Sequence, residues 1–243
     1  MEYKYELHLH TCEGSACARD TAADMVKAHH LAGYQGLVVT DHFFNGNSCI
    51  DRSLPWEQRV KLYCRGYEHA RAAGAQYDMD ILFGIEFGAF AGEGHGREFL
   101  IYGVDQQFLL QNPDLLSLNR AECAKRIHAW GGYIVHAHPF RQAPYIDDST
   151  PPDPAGLDGV EVYNHGNLRG EQDPGWNDQA LAFARRYDLD MLSGSDTHWV
   201  QSTGGGGMVF DHRIRDSRAL IDALKSRAGK LIWNRQPREI RYQ

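Results

Sequence analysis

The residues in this chain whose types and spacing could do chemistry are histidines and acids that recur at the ends of apolar runs. His8 and His10 lie two apart in Glu6-Leu7-His8-Leu9-His10-Thr11. Alternate residues of a strand share a face, so Glu6, His8 and His10 are expected to point one way and Tyr5, Leu7 and Leu9 the other. Two imidazoles on one rigid face can grip a metal ion, although a surface pair on an edge strand would look the same in isolation. The pattern repeats. Asp41-His42 follows Leu37-Val38-Val39, Glu86 ends the run from Asp80, and His138 follows Tyr133-Ile134-Val135. Asn164 ends the run from Gly159, and Asp196 and His198 follow Met191 to Gly194. One such histidine would be a hydrogen-bonded loop residue, and one such aspartate a helix cap. So many at the same end of successive strands favour a metal centre. Imidazole nitrogen with carboxylate oxygen suits zinc, iron or manganese. The donors outnumber those one ion needs, which implies two or three ions, with a carboxylate such as Glu86 able to bridge.

These residues need elements to carry them. A helix is expected from Asp20 or Thr21 to about His30, closed by Gly33. A second is expected from Pro55 to about Ala73, with others over about 119–130, 177–187 and 217–226. They alternate with strands near 37–39, 80–85, 99–103, 133–135, 159–163, 191–194, 208–210 and 231–233. This rhythm reads as α/β. With no linker or composition break, residues 1–243 are taken as one domain. A barrel is favoured over an open sheet, because polar residues at the ends of nearly every strand would meet on one rim of a barrel and would be spread along the edge of an open sheet.

Composition narrows the function. A net charge of -7 argues against a nonspecific nucleic-acid binder, which needs a basic footprint. It leaves room for a phosphorylated substrate, since metal ions supply local positive charge. No apolar run is long enough to span a membrane and no signal-peptide core is present at the N-terminus, so a cytoplasmic location is the default expectation. Five cysteines without a C-x-x-C pair are expected to be free thiols rather than a thiolate zinc site.

The ordered set His8-Leu9-His10-Thr11, Thr40-Asp41-His42, Gly84-Ile85-Glu86, His138-Pro139, Glu161-Val162-Tyr163-Asn164 and Gly194-Ser195-Asp196-Thr197-His198 resembles the PHP (polymerase and histidinol phosphatase) superfamily from residue 6 to about residue 211. The resemblance implies a distorted seven-stranded β/α barrel, similar to a TIM barrel, with a trinuclear metal site that hydrolyses phosphate esters through a metal-activated hydroxide. By it, His8, His10, Glu86 and Asp196 would hold one ion, Glu86 and His138 a second, and His42 and His198 a third. Asp41 would fix a ligand's tautomer. Two positions depart from the family pattern. Glu98 stands where a further histidine is usual, with His95 as the alternative donor. Glu13 is the candidate for the acid or histidine of the first loop, the other reading being a solvated loop acid.

Asp196, His42 and His198 would then lie at the reaction centre, and His198 or His42, if not fully engaged by metal, could help deliver a proton to the leaving group. Arg141 is the expected phosphate clamp, with Arg19 and Arg169 weaker candidates. Asn164 and His165 are expected on the substrate rim, and His136 is expected buried behind the ligands. The implied partner is a small phosphorylated metabolite or nucleotide. Two other activities stay open: amidohydrolase-like C–N hydrolysis, which generally relies on a mid-barrel lysine not found here, and a metal-binding scaffold or regulatory subunit without turnover. A proofreading module associated with a polymerase would need a partner to supply the polymerase and a basic face.

Overall fold

The computed structural model describes residues 1–147, 152–168, 174–240 and 242. Its strands are β1 (Tyr3–Leu9), β2 (Gly36–Val39), β3 (Asp80–Phe87), β4 (Phe99–Tyr102), β5 (Tyr133–His136), β6 (Gly159–Asn164), β7 (Asp190–Gly194), β8 (Met208–Phe210), β9 (Lys230–Trp233) and β10 (Gln236–Glu239). They form one sheet in the order β10-β9-β8-β1-β2-β3-β4-β5-β6-β7. The apolar runs of β2 to β6 are buried along their length, as strands covered on both faces must be.

The sheet is curled. Glu161 on β6 meets His8 on β1, and the Tyr102 hydroxyl on β4 donates to the Leu7 carbonyl on β1 at 3.0 Å. Neither pair is adjacent in the sheet, so both contacts span its concave side. The ends of β1 and β7 also meet. Leu9 bridges Thr197 in parallel, the Asp196 amide donates to the His8 carbonyl, and the His10 amide donates to the Thr197 carbonyl.

Two features differ from an even β/α barrel. β4 runs antiparallel to both β3 and β5. β8 pairs antiparallel with β1 on its outer edge and continues into β9 and β10. The reversal of β4 has a consequence for the site. β1, β2 and β3 are parallel, as are β5, β6 and β7, so their C-terminal ends face one way. β4 brings its N-terminal end to that same rim, and Glu98 sits immediately before it.

The helices are α1 (Ala22–Leu31), α2 (Trp56–Tyr63), α3 (Arg65–Gly74), α4 (Gln106–Gln111), α5 (Arg120–Trp130), α6 (Trp176–Arg186) and α7 (Ser217–Lys225). Side chains of Thr21, Asp105, Asn119 and Asp216 cap α1, α4, α5 and α7 by accepting a first-turn amide. The helix expected over 55–73 is two helices meeting at Cys64. α4 and β10 were outside the expected set, since short polar segments such as Gln236–Glu239 carry no periodic apolar signal. Among the described residues no helix is long and apolar enough to cross a membrane.

Candidate metal centre

Each imidazole of the opening strand has one nitrogen engaged by the protein. His8 Nδ1 donates to Glu161 Oε1 at 2.9 Å. His10 Nδ1 donates to the Ser15 hydroxyl at 3.0 Å, and that hydroxyl donates to Asp41 Oδ1 at 2.7 Å. Asp41 is itself held by the amide and hydroxyl of Thr11, both at 2.7 Å. These bonds select the tautomer and aim both Nε2 atoms inward.

What they aim at is a carboxylate pair. His8 Nε2 lies 3.0 Å from Glu86 Oε1 and 3.4 Å from Asp196 Oδ1. His10 Nε2 lies 3.3 Å from Glu86 Oε2 and 3.3 Å from Asp196 Oδ1. His138 Nε2 is 3.2 Å from Glu86 Oε1 and 3.4 Å from Glu98 Oε2. His42 Nδ1 is 2.7 Å from Glu86 Oε2 and 3.4 Å from Glu98 Oε1. Yet His8 Nε2, His10 Nε2, His42 Nδ1 and Glu86 Oε2 are buried without a hydrogen-bond partner of acceptable geometry. Four such atoms in one place would be costly if the contacts were meant as hydrogen bonds. Their lone pairs converge on shared points, as ligands around cations do. Four overlapping donor groups result: His8, His10 and Asp196; His8, Glu86 and His138; His42, Glu86 and Glu98; His10, His42 and His198. Imidazole and carboxylate donors in this arrangement fit divalent metal ions.

Backbone strain coincides with these donors. His138 (φ 28°) and Asp196 (φ 55°) adopt positive φ, a conformation that costs a non-glycine residue on the order of 1–3 kcal/mol and persists where surroundings over-determine it. The His138 amide is fixed by Glu161 Oε2 at 3.0 Å. At Asp196, Oδ1 faces the histidines and Oδ2 accepts from Arg141 Nη2 at 2.6 Å.

The electrostatics are those of crowded opposite charges. Burial disfavours charge throughout, but Glu161, Asp196 and Glu86 outweigh it at His8 and push that imidazole well above its ordinary range. Burial likewise opposes the charge of Glu86, which His42, His8 and His10 nonetheless hold well below the carboxylate range. Asp196 is held low against burial by His8 and Arg141. Burial and the neighbouring His198 and His42 drive His10 the other way, well below the imidazole range. Burial and the charge of Glu86 raise Glu98.

The cluster opens on a cavity of about 730 Å³ whose walls include His42, Glu98, Arg141, Tyr145, Asp196 and His198. His198 Nδ1 donates to the Asp196 carbonyl at 3.0 Å, leaving Nε2 available. Arg141 reaches the cavity with its guanidinium anchored by Asp196, by Asn164 Oδ1 and by Asn167 Oδ1, both amides at 2.9 Å.

The structure thus brings together His8, His10, His42, Glu86, Glu98, His138, Asp196 and His198, with Arg141 beside them. Other candidates are placed elsewhere. The Glu13 carboxylate is turned away to the start of α1, where it accepts the Ala22 amide at 3.0 Å and lies 3.2 Å from His69 Nδ1. An acid at a helix N-terminus is favoured there by the unsatisfied amides. Glu6 leaves the face of the histidine pair, where β1 shifts register against β2, and accepts the Ser195 amide at 2.8 Å. Asn164 is fully buried and cross-links Glu161 to Arg141 rather than standing on a substrate rim. His165 bonds the Tyr163 hydroxyl at 3.0 Å and is absent from the cavity wall. His136 is buried and stacks on Phe99 at 4.7 Å, with neither ring nitrogen hydrogen-bonded among the described residues, so it orients no ligand. His95 turns to the Tyr145 carbonyl, leaving Glu98 as the donor that reaches the cluster. Arg19 lies over the Trp199 ring at 4.9 Å. Arg169 falls outside the described residues.

Sequence reasoning passed over Glu161, Ser15 and Cys17. Glu161 sits inside the strand run Gly159–Asn164, so the strand-end rule did not select it. Alternation could have, since it shares a face with Tyr163 and Gly159 and not with Val160 and Val162. Cys17 lines the cavity. Burial opposes its thiolate, but contacts with His198 and His42 bring the thiol down to about 6.

Residues 174–228 match a family model described as PHP-associated. Among solved structures, a two-domain Bacteroides vulgatus protein containing a predicted PHP-like metal-dependent phosphoesterase aligns over 98% of this chain and 66% of its own, at 16% identity and a TM-score of 0.69. A Bifidobacterium adolescentis protein, assigned by its name as a metal-dependent phosphoesterase, aligns over 92% of this chain and 96% of its own, at 16% identity and a TM-score of 0.52. A Chromobacterium violaceum protein named as an amidohydrolase, with bound sulfate, aligns over the same shares, 92% and 96%, at 16% identity and a TM-score of 0.56. At these identities the likeness is one of fold, and the chain spans slightly under two thirds of the two-domain protein. No curated protein matches. The PHP-associated segment and the fold shared with PHP-like proteins agree with the resemblance carried by the ordered motifs.

Proposed function

We propose that this chain is a metal-dependent phosphoesterase acting on a small phosphorylated metabolite or nucleotide at a site of two or three divalent ions. The observation that carries the reading is the set of buried imidazole and carboxylate atoms that converge without hydrogen-bonding, at the floor of a cavity flanked by Arg141. His8, His10, Glu86 and Asp196 would hold one ion; Glu86, His138 and Glu98 a second; His42 and His198 a third. Bound there, divalent ions would polarise a phosphoryl group and lower the pKa of a water toward neutrality.

The remaining work falls to this chain's own side chains. Arg141 can donate to a phosphoryl oxygen in a fixed orientation, because Asn164 and Asn167 hold its plane. Asp196 keeps that guanidinium charged and close, and the same carboxylate ties it to the histidine cluster. Where no third ion engages it, His198 presents Nε2 to the cavity with its other nitrogen fixed, and is then the group placed to hold or hand over a proton at the leaving oxygen. His42 lines the same wall as the second candidate.

The test is hydrolysis of chromogenic phosphate mono- and diesters by protein loaded with manganese or zinc, compared with chelator-treated protein. Metal-dependent turnover supports the reading, and no turnover of any ester by fully loaded protein contradicts it. Amidohydrolase-like C–N cleavage is the second reading, favoured by the fold shared with the Chromobacterium violaceum protein. Against it, the described residues of the cavity wall include no lysine.

A further inference from the structure

We propose that Cys17 is a metal ligand of this chain, its thiolate completing with His42 and His198 a sulfur-containing cation site on the cavity side of the cluster, suited to zinc-class ions rather than manganese. The proposal rests on the metal-centre reading above and adds a donor to it.

The loop after β1 offers two acids for the third ion, Glu13 and Asp20; the Glu13 carboxylate is committed to the α1 amide of Ala22 and to His69, and Asp20 accepts the Val200 amide at 2.8 Å. The side chain from this loop that instead shares the cavity wall with His42 and His198 is the Cys17 thiol. Its position is built rather than incidental. On one side of it the Ala16 amide donates to the Asn47 carbonyl at 2.9 Å, tying the loop to the segment that follows His42. On the other, the Arg19 amide donates to the carbonyl of His198 at 2.9 Å. The Ser15 hydroxyl accepts the His42 amide at 3.0 Å. The backbone on both sides of Cys17 is therefore fastened to the loops that carry the two histidines.

A separate observation points to a ligand at this place. His10, fully buried, brings a ring nitrogen within 4.8 Å of the donor atoms of His42 and His198, and His42 Nδ1 is buried without a hydrogen-bond partner. The other thiols do not compete. Cys12 turns to the Glu13 carboxylate, Cys49 to the Glu13 and Cys12 carbonyls, and Cys64 and Cys123 are buried within an apolar core. Thiolate with imidazole selects zinc, cobalt or iron, whereas manganese and magnesium prefer oxygen. On binding, the Cys17 sulfur gives its proton to solvent and its lone pair to the cation.

Cobalt(II) reports the bond directly, because a thiolate ligand adds an intense near-ultraviolet charge-transfer band that nitrogen and oxygen ligands do not. Metal-free full-length protein loaded with cobalt(II) is expected to show that band. Cys17→Ser is expected to lose it while keeping visible cobalt absorption from the remaining donors, and Cys49→Ser is expected to keep it. Cys17→Asp, which restores an oxygen donor, is expected to hold as many ions as wild type without the band. In unmutated protein, zinc is expected to slow alkylation of Cys17, read by peptide mass, by about tenfold or more while leaving Cys49 unaffected. Cobalt bound without the band, a band that survives Cys17→Ser, or zinc-independent alkylation of Cys17 would each overturn the proposal while leaving the metal centre standing. Failure of wild type to bind cobalt at all would overturn both.

Discussion

Glu161 takes the Nδ1 hydrogen of His8 with one oxygen and the His138 amide with the other, so it sets two donors at once without facing the cavity. Its replacement by glutamine keeps the volume, removes the charge and leaves His8 free to change tautomer. Metal affinity is expected to fall by about 10–100-fold, measured by competition with a fluorescent chelator; an unchanged affinity would contradict this orienting role. Glu13→Gln separates the two roles open to that acid. The ion count is expected to stay at the wild-type value, while the melting temperature drops by the equivalent of about 0.3–1 kcal/mol as the α1 terminus loses its charge. Loss of an ion would restore Glu13 as a ligand. Proton competition follows from His8, whose imidazole is pushed well above its ordinary range in the metal-free protein by Glu161, Asp196 and Glu86 once these outweigh burial. Since that proton must leave before His8 can ligate, apparent affinity is expected to rise with pH through the neutral range, with proton release seen by calorimetry in two buffers. A flat profile with no release would contradict it.

Among the elements, the strand ends were legible because the chain places buried donors where apolar runs stop, and β1, β2, β3 and β5 to β7 lie within a few residues of the expected spans. The direction of β4 was not legible. Nothing in Phe99-Leu100-Ile101-Tyr102 distinguishes a parallel from an antiparallel strand, yet that direction is what carries Glu98 to the rim. The break at Cys64 was also hidden, since residues on both sides favour helix. Glycines at close approaches carry the tolerance of the site. A Cβ on Gly194 would sit 2.5 Å from both Glu161 Oε1 and the His8 Cβ, with the β-strand backbone leaving nowhere to retreat. Gly194→Ala is expected to weaken metal binding at least as much as the loss of Glu161 and to destabilise the fold by about 1–3 kcal/mol, read by denaturant unfolding of the metal-free protein. Wild-type stability and affinity together would show that β6 and β7 are held more loosely than these distances state.

For the molecule as a whole, the curled sheet gathers charges that a fold without ions would have to separate. Glu86, Asp196 and Glu98 meet five imidazoles in one buried space, and the contacts across it join β1 to β6 and to the loop after β7, and β3 to the loops after β2 and β5. Cations bound there would stabilise the closed sheet through their preference for the folded state. The family resemblance and most of the clustered donors could be read from the order of the motifs. The anchoring of Arg141 by Asn164 and Asn167 could not, because it depends on loops meeting across the rim. The most direct measurement is the metal content of the protein at equilibrium with manganese or zinc, by elemental analysis, for wild type and for His8→Ala combined with His10→Ala. Wild type is expected to hold two or three ions per chain and the double variant at least one fewer; equal metal content in the two proteins would contradict the assignment of the centre.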